Sequence, residues 1–318
     1  MYLENVPCPL CNKEMSNHSG NVAKIATVAV YKQCLRKCST CQVAYSNAQN
    51  NPTLIFKNHV HNVPEEVRAN LGLVLQNSLN IRNRTSKKRK FGYTTSEDAL
   101  TWTLFRYAQT SNRLPSIIKY ITGTVPTGAT DIYFWGVSAN NNGFISNTKY
   151  QHLVEFLRGI GENKQSLSEP DIIIEDDKSV IIFEVKFNSL NDRQKCSAKW
   201  EKYYSKKYFT QSILDKDGLQ EYQLIRNWFI GNELAQQSGK SFYLVNLAFT
   251  NARQNNFAEF KATIRETNRA HFIYKDGGGL LNQIFQADYP AWMLGWFNTR
   301  KPKLSILRPV HRQVSDKI

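Results

Sequence analysis

Two apolar segments joined by a short polar turn constrain the fold of this 318-residue chain more than any other feature. The segments lie within residues 169–174 and 180–187, and residues 175–178 form the turn. Apolar, β-branched runs on both sides of a tight turn predict two antiparallel strands. Charged residues interrupt this pattern, because Asp171 begins the first strand and Glu184 and Lys186 follow in the second. Side chains alternate along a strand, so Glu184 and Lys186 share one face.

The same hairpin predicts that two acids lie side by side. Counting back through the turn places Asp171 within a residue or two of Glu184 on the neighbouring strand. Directly opposed positions on paired strands have Cβ atoms about 5 Å apart. Two carboxylates at that separation repel each other unless a proton or cation lies between them, and a divalent ion that prefers oxygen ligands fits. The structural alternative is that Asp171 only begins a strand and that Glu184 and Lys186 form the solvated face of an edge strand.

An upstream segment adds a third acid. Residues 95–107 predict a helix, because Thr95 or Ser96 can cap it and apolar residues recur at helical spacing. Glu97 falls at the edge of the apolar face of this helix. The alternative is that Glu97 and Asp98 only interact favourably with the helix dipole.

The hairpin and its charged residues resemble a known family. Pro170-Asp171, followed by Glu184-Val185-Lys186, resembles the bipartite signature of the PD-(D/E)xK nuclease superfamily. The resemblance implies an α/β fold with a restriction-endonuclease-like core, in which helices flank a mixed central sheet.

The resemblance also assigns roles to individual residues. It implies that Asp171, Glu184 and Glu97 hold Mg²⁺ or Mn²⁺, and that the Val185 carbonyl contributes a further ligand. Lys186 would orient the attacking water and offset the negative charge that develops during phosphodiester hydrolysis. Glu97, Asp171, Glu184 and Lys186 are therefore the predicted catalytic residues.

The segments around the hairpin follow the order that this family requires. Residues 219–237 have helical periodicity, and residues 241–249 read as another strand. Gln223 and Arg226 could share a face of the predicted helix, but an amphipathic helix needs polar residues outside, so we expect both to be solvated. Asp131, in a further predicted strand, is a rival first acid that lacks a neighbouring Glu-x-Lys.

The charge balance indicates a polyanionic partner. The chain has 41 Lys and Arg against 26 Asp and Glu, which gives a net charge of +15. A charge of this size strengthens association with nucleic acid. The densest basic run, residues 82–90, is either a solvated linker or a strap that contacts phosphates. DNA is the expected partner, and RNA is not excluded.

The first 50 residues carry a separate metal signature. Cys8-x-x-Cys11 and Cys38-x-x-Cys41 are two knuckles of the kind that place four thiolates around zinc. The arrangement resembles a zinc ribbon with a structural Zn²⁺, and a strand is expected over residues 25–31. Disulfides are the alternative, but neither a signal peptide nor an apolar run of about 20 residues is visible, which favours a reducing, cytoplasmic setting without a membrane partner.

Two other residues could serve as zinc ligands. Cys34 is four residues before Cys38 and could supply a ligand in its place, although the Cys38 and Cys41 knuckle is preferred. His18 is a weaker substitute.

Together these features predict three regions and one activity. The regions are a zinc ribbon over residues 1–50, a helix and basic linker over 51–92, and a nuclease-like domain over 93–318 with its core at about 95–250. The expected activity is that of a Mg²⁺-dependent endodeoxyribonuclease, which the resemblance connects with restriction, phage defence or mobile-element processing. The alternative is a nucleic-acid-binding or partner-docking adaptor with an inactive nuclease-like core. A second copy of the chain, or subunits of a defence or transposition complex, are the protein partners considered.

Overall fold

The structure, a computed structural model, describes residues 5–15, 30–48, 52–139, 149–187, 193–210, 219–249, 257–285 and 289–300. The strands within these ranges are β1 (Val6–Pro7), β2 (Glu14–Met15), β3 (Arg36–Cys38), β4 (Val43–Tyr45), β5 (Leu54–Phe56), β6 (Asp131–Phe134), β7 (Val137–Ser138), β8 (Ile172–Glu175), β9 (Ser179–Lys186), β10 (Arg193–Lys195), β11 (Leu219–Glu221), β12 (Ser241–Ala248) and β13 (Ala270–Asp276). The α-helices are α1 (Leu71–Asn77), α2 (Arg84–Phe91), α3 (Glu97–Thr110), α4 (Leu114–Thr122), α5 (Gln151–Gly159), α6 (Tyr222–Ser238), α7 (Phe257–Thr263), α8 (Gly277–Phe285) and α9 (Ala291–Asn298).

The predicted hairpin forms the middle of a six-stranded mixed sheet. Its order is β13-β12-β9-β8-β6-β7, in which β9 and β12 are parallel, as are β12 and β13. The strands β8 and β9 are antiparallel, with Ile172 opposite Phe183, which confirms the predicted hairpin. Since both strands have a neighbour on their other side, the edge-strand alternative is wrong.

Helices cover both faces of this sheet, as the α/β prediction requires. On one face, Phe183 and Val185 pack in a core that also includes buried residues of α3, α4, α8 and α9. On the other face, Ile173 and Ile182 pack with buried residues of α5 and α6. Asp171 is two residues from Ile173, and Glu184 and Lys186 are two and four residues from Ile182. Because side chains alternate between faces along a strand, all three lie on the α6 face.

Helix α3 begins as the sequence predicts. The Ser96 side chain accepts a hydrogen bond of 3.2 Å from the Ala99 N–H, and Glu97 and Asp98 occupy the first turn. The cap and the acids stabilise this helix end because its first N–H groups lack partners within the helix. The cap therefore fixes Glu97 as the first residue of α3.

The cysteine-rich module extends beyond the predicted boundary at residue 50. It contains a small β1-β2 sheet and a three-stranded β3-β4-β5 sheet, and β5 lies after that boundary. Strand β5 also contacts the segment before α3, because the Phe56 N–H donates to the Gly92 carbonyl at 2.9 Å and the Thr94 N–H donates to the Leu54 carbonyl at 3.0 Å. The cysteine-rich module is thereby hydrogen-bonded to the segment before α3.

The predicted linker region is folded. Residues 65–67 form a 3₁₀ turn, and the helices within residues 51–92 are α1 and α2. Most of the basic run lies in α2, so it is a folded helix and not a linker, with Lys87 buried and Arg89 and Lys90 exposed. The strand expected over residues 25–31 lies largely outside the described residues, as does His18. None of the helices in the described part of the chain has the length and hydropathy to cross a bilayer.

Candidate active site

Asp171 immediately precedes β8, and Glu184 lies on the adjacent strand β9. Continuing the register of the hairpin by one residue places Asp171 opposite Glu184. Asp171 Oδ2 accepts a hydrogen bond of 2.9 Å from the Val185 N–H. Burial raises the pKa of Asp171 well above its ordinary value, and the negative charge of Glu184 raises it further. Glu184 is therefore close enough to raise the pKa of Asp171.

Lys186 lies between the acids and helix α6. Its Nζ donates to Glu184 Oε1 at 2.6 Å and to Gln223 Oε1 at 3.0 Å. Burial acts to lower the pKa of Lys186, but the carboxylates of Glu184, Asp171 and Glu97 outweigh it and raise the pKa above its ordinary value. Lys186 therefore keeps its proton in this arrangement and acts as a hydrogen-bond donor.

Helix α6 supplies a residue that the sequence pattern does not reveal. Asn227 is fully buried and donates from Nδ2 to Glu184 Oε2 at 2.9 Å, so both oxygens of Glu184 are held. Asn227 is four residues after Gln223, and this helical spacing places the two amides on one face. Gln223, expected to be solvated, is half-buried and also accepts a hydrogen bond from Lys186. Arg226 is half-buried, bonds Asn227 Oδ1 at 3.3 Å and lies over the Tyr222 ring.

Glu97 enters the same region from α3. Its Oε1 accepts a hydrogen bond of 2.8 Å from the Phe187 N–H, at the end of β9. The neighbouring Asp98 also borders the site, and burial raises its pKa while Lys87 lowers it. The acidic first turn of α3 thus lies at the end of the hairpin that carries Asp171 and Glu184.

All four predicted catalytic residues line one cleft of about 1090 Å³. Glu184 and Lys186 are buried at this cleft, while Glu97 and Asp171 are half-buried. Cations that reach solvent line it as well: Lys90, Lys199, Lys202 and Arg226. A cleft with buried and half-buried carboxylates and solvent-accessible cations can bind a phosphate while an acid-held metal ion contacts the same group. Asp131, the rival first acid, lies opposite Glu175 in the strand register, at the end of β8 remote from Asp171. It does not line this cleft.

The acidic residues fit a divalent cation by their chemistry. Asp171, Glu184 and Glu97 offer the oxygen ligands that Mg²⁺ and Mn²⁺ prefer. The raised pKa of Asp171 shows that an added positive charge would stabilise its carboxylate form. These oxygens now accept hydrogen bonds from Val185, Phe187, Lys186 and Asn227, so binding an ion requires the carboxylates to exchange some of these hydrogen bonds for the ion and to move closer together.

The four knuckle cysteines form a second potential metal site. The Sγ atoms of Cys8, Cys11, Cys38 and Cys41 all lie within 4.8 Å of one another, and no other group in the described ranges brings three such ligands so close. The Cys11 and Cys38 sulfurs are 3.6 Å apart, close to the roughly 3.8 Å expected for tetrahedral Zn–S bonds of about 2.3 Å. These cysteines could therefore hold a metal such as zinc.

The backbone of the knuckles favours a thiolate at Cys38. Burial opposes ionisation, but hydrogen bonds from the Cys41 N–H and from neighbouring thiols lower the pKa of Cys38 to about 7. Cys34 is not part of the cluster, because it packs with Ala44 and Ile55 and its Sγ lies 3.4 Å from the Val30 carbonyl. The preference for Cys38 with Cys41 over Cys34 is confirmed.

Comparison of the chain with protein-family models, curated proteins and solved structures finds no match. Function is therefore inferred from the residues of the cleft and from their chemistry.

Proposed function

We propose that this protein is a metal-dependent endonuclease that hydrolyses DNA phosphodiester bonds with a restriction-endonuclease-like core. The observation that carries the proposal is the half-buried Asp171, immediately before β8, beside the buried Glu184 of β9, with Lys186 bonded to Glu184 at 2.6 Å. A purely structural ion pair would need one acid. A second carboxylate beside it, in a large open cleft, adds repulsion that a divalent ion removes.

Asp171, Glu184, Glu97 and the Val185 carbonyl would hold the ion. Mg²⁺ bound there stabilises negative charge on the phosphate and makes a water molecule a better nucleophile. Lys186 orients that water and offsets the charge that develops on the phosphate oxygens. It can do so because its ammonium group is already fixed by two acceptors.

Helix α6 has a positioning role in this mechanism. Gln223 holds Lys186, and Asn227 holds the Glu184 oxygen that Lys186 does not contact. The two amides restrict rotation of both functional side chains, so less reorganisation is needed when the substrate binds. Lys90, Lys199, Lys202 and Arg226 bind phosphates on either side of the reacting group.

Removal of the Lys186 charge should abolish cleavage without abolishing DNA binding. We expect the wild-type protein to nick or linearise plasmid DNA only when Mg²⁺ or Mn²⁺ is added. Lys186→Met should slow cleavage by about 100-fold or more, because a fixed donor at developing charge contributes that much. Quantified plasmid gels and filter binding measure the two effects.

Lys178→Met is the matched control, since this exposed lysine lies in the turn of the same hairpin, at the end remote from Asp171. It should cleave at the wild-type rate. Wild-type protein that binds DNA but never cuts it with either metal would instead support the adaptor function. Equal cleavage by Lys186→Met and wild type would contradict the role of Lys186.

The four-cysteine cluster holds a structural Zn²⁺ in this proposal. The strands β1 to β5 bury only a small core, so metal binding supplies much of the folding free energy of the ribbon. The hydrogen bonds between β5 and the segment before α3 then position the ribbon next to the cleft.

Zinc content should depend on Cys11 and not on Cys34. We expect about one zinc per wild-type chain, and loss of most of it in Cys11→Ser, because three remaining ligands hold the ion weakly. Cys34→Ser is the matched control and should keep its zinc, since Cys34 lies outside the cluster. Elemental analysis of the purified proteins measures the content, and comparable zinc loss in the two variants would exclude the proposed ligand set.

A further inference from the structure

A second groove, of about 530 Å³, lies where the ribbon meets α2. Five basic residues line it: Lys32, Lys37, Lys57, Lys88 and Arg89. The first three belong to the ribbon and the last two to α2. No carboxylate is among the described residues that line the groove.

In the described contacts of this groove, the lysine side chains donate hydrogen bonds only to neutral groups. Lys37 donates to the Lys32 carbonyl at 2.8 Å, and Lys57 donates to Gln42 Oε1 at 2.9 Å. Gathering five cations in one concave surface without an acid is unfavourable for the protein alone. The arrangement therefore favours a polyanion as the occupant.

The groove also has an aromatic wall. Tyr31, Phe56 and Tyr93 line it, each partly exposed, together with the half-buried His59. Burial lowers the pKa of His59, and Lys88 lowers it further, so its ring is more readily neutral. Partly exposed aromatic faces among cations are the features on which unpaired bases stack while the phosphates are neutralised. A duplex, whose bases are already stacked, could use only the charges.

The groove and the catalytic cleft meet at one residue. Tyr93 lines both of them. Helix α2 contributes cations to both surfaces. Lys87 and Lys90 line the cleft, and Lys88 and Arg89 line the groove. A strand that continues from the cleft into the groove would therefore pass Tyr93.

We infer that the ribbon groove binds an unpaired segment of nucleic acid that continues from the strand held in the catalytic cleft. The inference rests on the proposed function for the identity of the substrate. It adds that the enzyme prefers DNA with a single-stranded region beside the cleavage point, such as a flap, a fork or an overhang. An acidic peptide would satisfy the charges but would leave the aromatic wall without stacking partners.

Binding in the absence of divalent ions tests the groove separately from catalysis. The full chain with Asp171→Asn is used, in buffer without Mg²⁺ and without a chelator, so that DNA stays intact and zinc is retained. The probes are a fluorescently labelled oligothymidylate and a mixed-sequence duplex of equal length, measured by anisotropy. Tyr31→Leu keeps apolar bulk but removes the ring, and should weaken oligothymidylate binding at least fivefold.

Charge reversal provides a second and independent variant. Lys88→Glu with Arg89→Glu should weaken oligothymidylate binding about tenfold or more and reduce its salt dependence. Lys119→Glu with Lys178→Glu changes the net charge equally at two exposed positions outside both surfaces, and should alter binding less than about twofold. Circular dichroism shows whether each variant is folded.

The two sets of outcomes separate this inference from the proposed function. Loss of oligothymidylate binding in both groove variants, with smaller effects on the duplex, would support the groove even if the wild type never cut DNA. Equal losses for duplex and oligothymidylate would overturn the stacking role. Unchanged binding in the folded charge-reversal variant, or displacement of the oligonucleotide by poly-glutamate at equal charge concentration, would overturn the inference as a whole.

Discussion

Asp171→Asn should abolish metal-dependent cleavage, with a loss of about 1,000-fold or more. The substitution keeps the shape of the side chain, and the asparagine oxygen can still accept the hydrogen bond from the Val185 N–H. It removes one of two adjacent negative charges, so the affinity for a divalent ion falls and the transition state loses several kcal/mol of stabilisation. Single-turnover cleavage of plasmid DNA over a range of Mg²⁺ concentrations measures the loss.

The same variant should be more stable than the wild type when no divalent ion is added. Burial and Glu184 both disfavour the Asp171 carboxylate, and an amide carries no charge to be disfavoured. A more stable but inactive protein separates a functional role from a folding defect. Thermal unfolding with and without Mg²⁺ gives the comparison.

Asp131→Asn is the matched control for the position of the first acid. Asp131 is exposed on β6 and pairs with Glu175, at the end of β8 remote from Asp171. It is the rival first acid on sequence grounds, and its amide variant should cleave at the wild-type rate. A large loss in Asp131→Asn together with retained activity in Asp171→Asn would move the metal site to the other end of the sheet.

The sequence predicts the parts of the site that depend on strand periodicity. Side chains alternate with a period of two, so the spacing of Glu184 and Lys186 is enough to place them on a shared face. The short turn between β8 and β9 fixes the register to within a residue or two, which brings Asp171 beside Glu184. The sequence also predicts the cysteine cluster, because the Cys-x-x-Cys spacing brings the two sulfurs of each knuckle close together.

The sequence does not predict contacts made between distant elements. Asn227 reaches Glu184 from a helix 43 residues later, and nothing in the pattern of α6 distinguishes it from a buried structural amide. Lys87 resembles its basic neighbours in the sequence, so the local pattern does not single it out as a buried residue. Its partner, Glu169, is 82 residues away. Long-range ion pairs of this kind depend on the packing of whole elements, which local patterns do not encode.

Lys87→Met should lower the free energy of unfolding by about 3–5 kcal/mol. Lys87 donates to Glu169 Oε2 at 2.8 Å, and the two side chains are only 5% and 8% exposed. Its Nζ also lies 4.5 Å from the centroid of the Trp135 ring. Removing the cation leaves Glu169 buried without its charged partner and removes a positive charge near Asp98. Chemical denaturation monitored by tryptophan fluorescence measures the change.

Two further variants show whether the unpaired charge is the cause. In Lys87→Met with Glu169→Leu, most of the lost stability should return, because a buried ion pair replaced by apolar side chains is often neutral. Lys240→Met breaks the pair with Glu175, which has a similar length of 2.7 Å but is more exposed, and should cost about 1 kcal/mol. Glu169 is two residues before Asp171, so the pair also anchors the strand that carries the first acid to α2. If Lys87→Met and Lys240→Met are equally destabilising, the cation at Lys87 does not have this anchoring role.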